Sequence, residues 1–407
     1  MLSSFYILFF TAIYHSVIGG VDRVFNNSAI DVITNWGYPL EIHSVLTKDG
    51  YIIDLFRIPH GRFSNANSSC HRPAVLMAPG VVGGASQFFL NRPESSPAFI
   101  LADAGIDVFL LNYRGTTYGK RHITLQPTNN KFWQFTLDEL AKYDAPAAIN
   151  KVLAVSGKKS LYWIGHSQGT AVGFMTLADN PKYNRKVKAL FQLGPAGTSG
   201  YAKGMMRFAF LAYKNFKPLV DLYRIALGSH EIIFGQDSVY ISLCEFSPFN
   251  VSGICEHGIY SLFDSLTIAL NATQESELFS HEHSGTSTWI LLHWAQMAAR
   301  QTVEHMDHNP IINLVRYGQE IPPPYNYTNI DVPVYLFWSK DDWMTTAEEI
   351  EHIILKMLRK EIVKGGREIP RYSHADFIEA TDCADMVFNP ISEIVRKQER
   401  GMCDPYE

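Results

Sequence analysis

The sequence predicts an α/β protein in which helices cover both faces of a mostly parallel sheet. Short apolar runs of strand length recur along the chain, and they alternate with segments of helical period. Such runs are typical of strands that are buried on both sides, as in parallel sheets. A chain of 407 residues with 46% hydrophobic side chains can bury the core that this fold needs.

The elements follow one another in a regular order until the middle of the chain. The predicted strands are residues 51–58, 74–77, 107–111, 161–164, 188–193 and 334–338, and the clearest predicted helices are 137–153 and 346–362. Between about Gly197 and Pro324 the strand signals become sparse and aromatic helical segments take their place. We therefore expect a core formed by residues 20–196 and 325–407, with a mainly helical cap inserted at 197–324.

The amino-terminal segment predicts entry into the secretory pathway. Residues 2–18 are mostly apolar and end at Gly19 and Gly20, so residues 1–19 are predicted to be a signal peptide, with an uncleaved anchor as the alternative. After residue 20 no uncharged apolar stretch is long enough to span a membrane. We expect a secreted or lysosomal protein. Five Asn-x-Ser/Thr sequons are candidate glycosylation sites: Asn26, Asn67, Asn250, Asn271 and Asn326.

Charge and cysteine content exclude some classes of partner. The net charge of −5 is spread without long runs of one sign, so a nucleic-acid partner is not expected. Cys244 and Cys255 are close enough in sequence to predict a disulfide, and the odd total of five leaves at least one thiol free or intermolecular. No zinc motif appears, and we expect no metal and no cofactor. Four histidines that could in principle bind a metal are expected on the solvated surface instead: His281, His283, His305 and His308.

A Gly-x-Ser-x-Gly pattern directly follows the strand 161–164. It consists of Gly165, His166, Ser167, Gln168 and Gly169. Small residues on both sides permit a sharp strand-to-helix turn that lifts the serine out of the sheet, and residues 170–175 can continue as a helix. Ser167 is therefore a candidate nucleophile, and an ordinary structural turn is the alternative.

A serine hydroxyl needs a histidine to take its proton and a carboxylate to orient that histidine. After the strand 334–338 come Asp341 and Asp342, and spacing by itself does not choose between them. Two histidines follow: His352 lies among acidic residues in a predicted helix, which leaves His374, in a loop, as the candidate base.

A tetrahedral oxyanion needs backbone N–H donors at the point where its negative charge develops. The residue after the nucleophile, Gln168, supplies one donor in this arrangement. The glycine-rich segment 78–84 follows an early strand and offers the Val81 N–H as the second, with an ordinary glycine-rich turn as the alternative.

Several separated stretches between about Asp31 and Phe388 resemble the acid lipase family, which includes gastric and lysosomal acid lipases. They are residues 36–39 (Trp-Gly-Tyr-Pro), 47–51, 57–61, 112–119, 132–144, 165–170 (Gly-His-Ser-Gln-Gly-Thr), 284–287, 293–296 (His-Trp-Ala-Gln), 323–325 and 372–377 (Tyr-Ser-His-Ala-Asp-Phe). In that family the catalytic aspartate precedes an aromatic residue or leucine, so the resemblance selects Asp342, which precedes Trp343. Its histidine lies in a Tyr-x-His-x-Asp-Phe segment, which here contains His374. The family usually has His-Gly in the oxyanion loop, where this chain has Pro79 and Gly80.

This resemblance implies an α/β-hydrolase fold with a cap or lid, and hydrolysis of triacylglycerols or cholesteryl esters at a lipid–water interface through an acyl-serine intermediate. Residues 204–234 combine aromatic, aliphatic and basic side chains, which suits either a lipid-contacting lid or an internal cap helix. Two alternatives stay open: a non-catalytic lipid-carrying protein that keeps the fold, and another esterase or thioesterase.

Overall fold

The computed structural model describes residues 29–64, 70–232 and 284–403. Within these ranges, no helix combines the length and the apolar character needed to cross a membrane. The predicted signal peptide lies outside the described residues. So do four of the five sequons and the predicted disulfide pair, namely Asn26, Asn67, Asn250, Asn271, Cys244 and Cys255.

A mixed sheet and a two-stranded ribbon contain the strands of the described residues. These strands are β1 (Glu41–Leu46), β2 (Tyr51–Ile58), β3 (Ala74–Ala78), β4 (Asp107–Leu111), β5 (Arg121–His122), β6 (Leu161–His166), β7 (Val187–Leu193), β8 (Glu231–Ile232), β9 (Thr286–Ser287), β10 (Val334–Trp338) and β11 (Val363–Glu368). The order of the sheet is β1-β2-β4-β3-β6-β7-β10-β11, with β5 paired to β2, while β8 and β9 form the ribbon. From β4 to β11 in this order all neighbours are parallel, whereas β2 pairs antiparallel with β1, β4 and β5. All six predicted strands are present in this mostly parallel sheet.

The outermost strands β1 and β11 are absent from the prediction. Both are half-exposed or exposed along most of their length, so their residues lack the continuous apolar run that identifies a buried strand. At Gly366 of β11, a Cβ atom would lie 1.8 Å from the carbonyl oxygen of Leu336. Glycine therefore permits the close approach of β11 to β10 at this point.

Helices cover the sheet on both sides. The longer ones are α1 (Ala29–Asn35), α2 (Pro97–Asp103), α3 (Ala145–Ser156), α4 (Gln168–Asp179), α5 (Gly204–Leu227), α6 (Thr288–Arg300), α7 (Pro310–Tyr317) and α8 (Asn389–Gln398). Shorter α-helical turns are Leu137–Glu139, Ala347–Glu349, Leu355–Met357 and Asp376–Glu379. The predicted helix 137–153 is present, and the predicted helix 346–362 is present only as far as Met357, because Leu358 is extended. A π-helical turn interrupts each of them, at Leu140–Asp144 and at Ile350–Ile354.

Alternate residues of the central strands divide the core into two clusters. On β3, Leu76 belongs to the cluster that also contains Ile149 of α3 and Val172 of α4. Its neighbour Val75 belongs to the cluster on the other face, with α2 and α8. Successive side chains of a strand point to opposite faces, so a strand covered on both sides must be apolar at every position. This explains why the central strands appear in the sequence as short apolar runs.

The segment between β7 and β10 contributes α5, α6, α7 and the ribbon β8–β9. Its described part is mainly helical, while the boundaries of a cap at 197–324 remain a prediction. Ser229 and Ser287 attach the ribbon to the rest of the molecule, because both hydroxyls donate hydrogen bonds to the Trp133 carbonyl at 2.5 Å. The expectation that His305 and His308 are solvated surface residues is wrong: the His305 side chain is 17% exposed, and His308 is buried.

One disulfide joins Cys70 to Cys403 in the described part of the chain. These cysteines lie 333 residues apart, so spacing in the sequence gave no reason to pair them. Cys383 is a free, buried thiol, as the odd number of cysteines allows.

Candidate active site

Ser167 occupies a strained turn between β6 and α4. Its φ of +52° is unusual for a residue with a side chain. A Cβ on Gly165 would lie 2.6 Å from the backbone of Gly169, and a Cβ on Gly169 would lie 2.1 Å from the Ala78 carbonyl oxygen. Both glycines of the pattern are therefore required by close backbone packing. The Ser167 N–H donates to the Leu193 carbonyl at 3.0 Å, which ties the turn to the end of β7.

His374 lies between Ser167 and Asp342 and contacts both. Its Nε2 is 2.7 Å from the Ser167 Oγ, and its Nδ1 is 2.9 Å from Oδ2 of Asp342. A carboxylate only accepts hydrogen bonds, so Nδ1 carries the proton, and Nε2 is left to accept the serine hydroxyl. The structure thus brings the three predicted residues into one hydrogen-bonded chain, although 207 residues separate Ser167 from His374.

The Asp342 carboxylate is fully buried and has several donors around it. The N–H groups of Met344 and Thr345 donate to Oδ1 at 2.8 Å, and the Thr345 hydroxyl donates to Oδ2 at 2.5 Å. Burial alone would raise the pKa of this carboxyl, but the His374 imidazole and these hydrogen bonds hold the pKa below its usual value. Asp342 is therefore charged and able to stabilise a protonated His374.

Asp341 has a different position and different contacts. It is exposed, and its Oδ2 accepts the Arg371 N–H at 2.8 Å. Arg371 has a φ of +64° at the start of the loop that leads to His374. The structure therefore places Asp342, and not Asp341, beside the histidine. His352, the histidine set aside in the sequence analysis, is exposed in the turn Ile350–Ile354.

His166 contacts His374, the histidine of the hydrogen-bonded chain. Its Nε2–H donates to the His374 carbonyl at 3.0 Å, and the two rings are 5.1 Å apart. Burial and the nearby charge of His374 lower the pKa of His166 to about 3. His166 is therefore neutral and supports the His374 loop without adding a second positive charge.

The loop with Val81 lies beside the nucleophile. A Cβ on Gly80 would be 3.5 Å from the Ser167 Cβ. Three peptide groups of the loop are fixed, those between residues 79 and 80, 80 and 81, and 82 and 83. The Gly80 N–H donates to Oε1 of Gln87 at 3.0 Å, the Gly83 N–H donates to the Gly80 carbonyl at 3.3 Å, and the Ser284 N–H donates to the Val82 carbonyl at 2.8 Å. The peptide that carries the Val81 N–H is the middle one of the three.

Gln168 is the first residue of α4, where backbone N–H groups have no partner within the helix. Its side chain is buried, and its Oε1 accepts the indole N–H of Trp294 at 3.2 Å. Trp294 belongs to α6, so a helix of the segment between β7 and β10 contacts the residue next to the nucleophile.

Sequence reasoning missed several supporting residues of this site. Met344 could have been found, because an aspartate side chain often accepts the backbone N–H two residues later, as Asp342 does here. Gln87 and Ser284 gave no local signal, since their contacts form only in the folded chain. Asn112 is a further case: its Oδ1 accepts the Ala85 N–H at 2.9 Å and so supports the far end of the Val81 loop.

Comparisons with known proteins agree with this architecture. The family model described as "Partial alpha/beta-hydrolase lipase region" matches residues 29–92, and the one described as "alpha/beta hydrolase fold" matches residues 73–217. A putative lipase from Sulfolobus solfataricus has a similar structure, with a TM-score of 0.55 and 15% sequence identity over 89% of this chain and 99% of that one. The protein is thus an α/β hydrolase by fold.

More similar relatives define the family within that fold. The chain is 35% identical to lipase lipl-1 of Caenorhabditis elegans, over 90% of each chain. It is 32% identical to the gastric triacylglycerol lipase of Bos taurus and 33% identical to that of Homo sapiens, over 91% of each chain in both cases. The chain therefore belongs to the acid lipase family of carboxylic ester hydrolases.

Proposed function

We propose that this protein is a lipase of the secretory pathway, secreted or lysosomal, that hydrolyses carboxylic ester bonds of neutral lipids by a Ser-His-Asp mechanism. The observation that carries the proposal is the hydrogen-bonded chain from Ser167 through His374 to Asp342. Triacylglycerols and cholesteryl esters are the proposed substrate class. The names of the gastric triacylglycerol lipases among the relatives support this class.

Acylation begins when the Ser167 Oγ attacks the ester carbonyl carbon and its proton passes to Nε2 of His374. Asp342 orients the imidazole through Nδ1 and stabilises the imidazolium. The carbonyl oxygen becomes an oxyanion, for which the backbone N–H groups of Gln168 and Val81 are the proposed donors. When the tetrahedral intermediate collapses, the C–O bond to the alcohol breaks. The alcohol takes the proton from Nε2 and leaves an acyl-serine.

Deacylation repeats the sequence with water as the nucleophile. His374 accepts a proton from the water as its oxygen bonds to the acyl carbon, and the same backbone donors hold the second oxyanion. Collapse then breaks the bond to Ser167, whose oxygen recovers the proton from Nε2. The products are a fatty acid and the free enzyme, and neither a metal nor a cofactor enters any step.

The proposed cap comprises residues 197–324, and its described part supports a lipid substrate. Helix α5 exposes large apolar side chains among basic ones, as a lipid-contacting lid does. The exposed apolar residues are Phe208 (61%), Leu211 (42%), Phe216 (45%) and Leu219 (61%). Asn326, the one sequon among the described residues, is exposed and thus accessible for the proposed glycosylation.

The adjacent aspartates provide a matched test of this mechanism. We expect Ser167→Ala to abolish hydrolysis of a soluble p-nitrophenyl ester and of triolein, and Asp342→Asn to lower kcat by roughly 10³-fold or more, because the histidine loses its orienting charge. Asp341→Asn is the control and should retain most activity, because the exposed Asp341 carboxylate accepts the Arg371 N–H, whereas the carboxylate beside the His374 imidazole is that of Asp342.

A serine-reactive phosphonate separates this proposal from the non-catalytic alternative. The unsubstituted protein should form one adduct at Ser167, whereas a lipid carrier would show neither adduct nor turnover. Full activity of Ser167→Ala, or equal losses in Asp341→Asn and Asp342→Asn, would contradict the assignment. Turnover of the soluble ester without turnover of triolein or cholesteryl oleate would instead indicate another esterase.

A further inference from the structure

Helix α7 has its polar side inward and its apolar side outward, the reverse of an ordinary surface helix. Its outward residues are aliphatic: Ile311 is 78% exposed, Ile312 43%, Leu314 54% and Val315 85%. Ile321, shortly after the helix, is 62% exposed. We call these five side chains the α7 surface. Contiguous apolar patches of this kind usually mark an interaction site.

Polar contacts on the inner side hold the helix in this orientation. Asn313 is fully buried; its Nδ2 donates to Oδ1 of Asp307 and to the Glu320 carbonyl, both at 2.8 Å, and its Oδ1 accepts the His308 N–H at 2.9 Å. The Tyr317 hydroxyl donates to the Met306 carbonyl at 2.9 Å. The aliphatic side chains therefore remain exposed because specific bonds fix the opposite side of the helix.

The charges near the α7 surface favour an uncharged partner. The helix contains one charged residue, Arg316, whose Nη1 lies 2.8 Å from Nε2 of His308 and 3.6 Å from Oε1 of Glu139. This charge is directed toward the protein. The exposed carboxylate of Glu320 lies next to Ile321 and would repel an anionic membrane. An uncharged lipid surface is the complementary partner.

A second copy of the chain fits this surface less well. The five side chains expose on the order of 600 Å² together, whereas a stable interface needs about 800 Å² from each partner. A lipid surface has no such threshold, because it deforms around each inserted side chain and binding increases with the apolar area that is buried.

The surface is connected to the candidate active site through the neighbouring helices. Met306, whose carbonyl accepts the Tyr317 hydroxyl, packs with Tyr213 of α5 and Leu292 of α6. Trp294, also on α6, donates to Gln168 beside the nucleophile. Attachment through α7 therefore takes place close to α5 and α6, and α6 contacts the residue next to Ser167.

We propose that the α7 surface is a docking site for the surface of neutral-lipid droplets, and this inference rests on the proposed lipase function. The aliphatic side chains of Ile311 and Val315 insert into the lipid, while Asn313 and Tyr317 hold the helix against the protein. Docking places the enzyme on an insoluble substrate before any ester bond enters the site.

The test measures binding separately from turnover. The full-length protein carrying Ser167→Ala is mixed with a triolein emulsion stabilised by phosphatidylcholine, and the bound fraction is measured by flotation. Adding Ile311→Ser and Val315→Ser should weaken binding by at least ~10-fold, since two aliphatic side chains lose their transfer to lipid. The matched control replaces two exposed apolar residues elsewhere, Phe63→Ser and Ile123→Ser, and should bind as the parent does.

Each other outcome overturns the proposal. Equal binding of the two double variants would show that α7 does not dock, provided that their thermal unfolding midpoints match that of the parent. Tighter binding to phosphatidylserine vesicles than to the emulsion would identify an anionic membrane as the partner, and a dimer that Ile311→Ser and Val315→Ser dissociate would identify a second copy. Failure of the lipase function is detected independently, as absence of soluble-ester hydrolysis by the protein with Ser167 intact.

Discussion

The side-chain amide of Gln87 lies against the turn 80–83, which contains the Val81 N–H. Its Oε1 accepts the Gly80 N–H at 3.0 Å, and a Cβ on Gly83 would lie 2.0 Å from its amide carbon. Glycine at 83 therefore makes room for the Gln87 side chain. Proline has neither a backbone N–H nor a polar side chain, so Gln87 gives the loop a support that Pro79 cannot give. We infer that Gln87 is a positioning residue for the proposed oxyanion donor at Val81.

Replacing Gln87 with methionine keeps the size of the side chain but removes the acceptor. We expect kcat for a soluble ester to fall by roughly tenfold with little change in KM. A misdirected donor stabilises the oxyanion of the transition state less and has little effect on substrate binding. Gln134→Met, at an exposed glutamine, is the control. An unchanged kcat in Gln87→Met, or a fall caused only by a lower thermal unfolding midpoint, would show that the contact is merely structural.

Individual residues of the site differ in how well the sequence predicts them. Ser167, Gln168 and His374 could be predicted from the sequence, because the turn pattern and the order of the residues follow from local backbone requirements and chain direction. Asp341 and Asp342 are adjacent, so spacing did not choose between them; the family resemblance selected Asp342, and the fold shows that its carboxylate turns toward His374 while that of Asp341 accepts the Arg371 N–H. The role of Gln87 could not be predicted, because its contact depends on a turn geometry that residues 80–83 permit but do not specify.

At the scale of elements, His305 forms an ionic link between the helical turn Leu137–Glu139, helix α4 and the segment after α6. Its Nδ1 lies 3.2 Å from Oδ1 of Asp138, and its Nε2 lies 3.4 Å from Oδ2 of Asp179. Its ring stacks on Tyr325 at 4.1 Å. Burial alone would lower the pKa of His305, but the hydrogen bonds and charges of the two aspartates raise it to about 9. The neighbouring imidazoles of His293 and His305 hold the pKa of Asp138 well below its usual range, although burial opposes this.

This link makes stability depend on pH in a definite direction. Because the pKa of His305 is raised from 6.5 to about 9, its contribution is fully present below pH 6.5 and is lost as the pH rises through about 9. We expect His305→Gln to lower the free energy of unfolding by on the order of 2 kcal/mol at pH 5–6 and by much less at pH 10. Thermal or urea unfolding across that range measures the difference.

The exposed histidine of the turn Ile350–Ile354 supplies the control for this measurement. His352→Gln should shift the unfolding curve little at any pH, because the His352 side chain is on the surface. If the curves of the unsubstituted protein and His305→Gln stay parallel from pH 5 to pH 10, the protonated histidine does not contribute in the way we infer.

The elements themselves show why some parts of this fold are easier to predict than others. Strands β3, β4 and β6 are buried on both faces, and their apolar runs marked them almost to the residue. β11 is an exposed edge strand with two glycines, so its place depends on pairing with β10 and not on its own composition. Helix α7 is a third case, since an aliphatic helix suggests burial, whereas buried polar contacts from Asn313 turn its apolar side outward.

At the scale of the whole molecule, the end of the described chain packs at the amino-terminal ends of the central strands β3, β6 and β7. The Cys403 N–H donates to the His71 carbonyl and the His71 N–H to the Gly401 carbonyl, each at 3.0 Å, beside the Cys70–Cys403 disulfide. Glu399 accepts the Tyr162 hydroxyl of β6 at 2.8 Å and pairs with Lys188 of β7. These contacts hold the end of α8, whose Ile391 and Val395 are buried in one of the two core clusters.

Removing this disulfide should destabilise the whole fold, because the covalent link restricts an unfolded loop of 333 residues. We expect Cys70→Ser with Cys403→Ser to lower the free energy of unfolding by about 2–5 kcal/mol, measured by urea denaturation. Cys383→Ser is the control for an effect of the reductant on the free thiol. Reduction should destabilise this variant as much as it destabilises the unsubstituted protein, because Cys383 is a free thiol in both the oxidised and the reduced protein. Any loss on reduction that persists in the double variant would report a second disulfide, as predicted for Cys244 and Cys255. Equal stability of the double variant and the oxidised parent would instead show that the noncovalent contacts of His71 and Glu399 are sufficient to close the molecule.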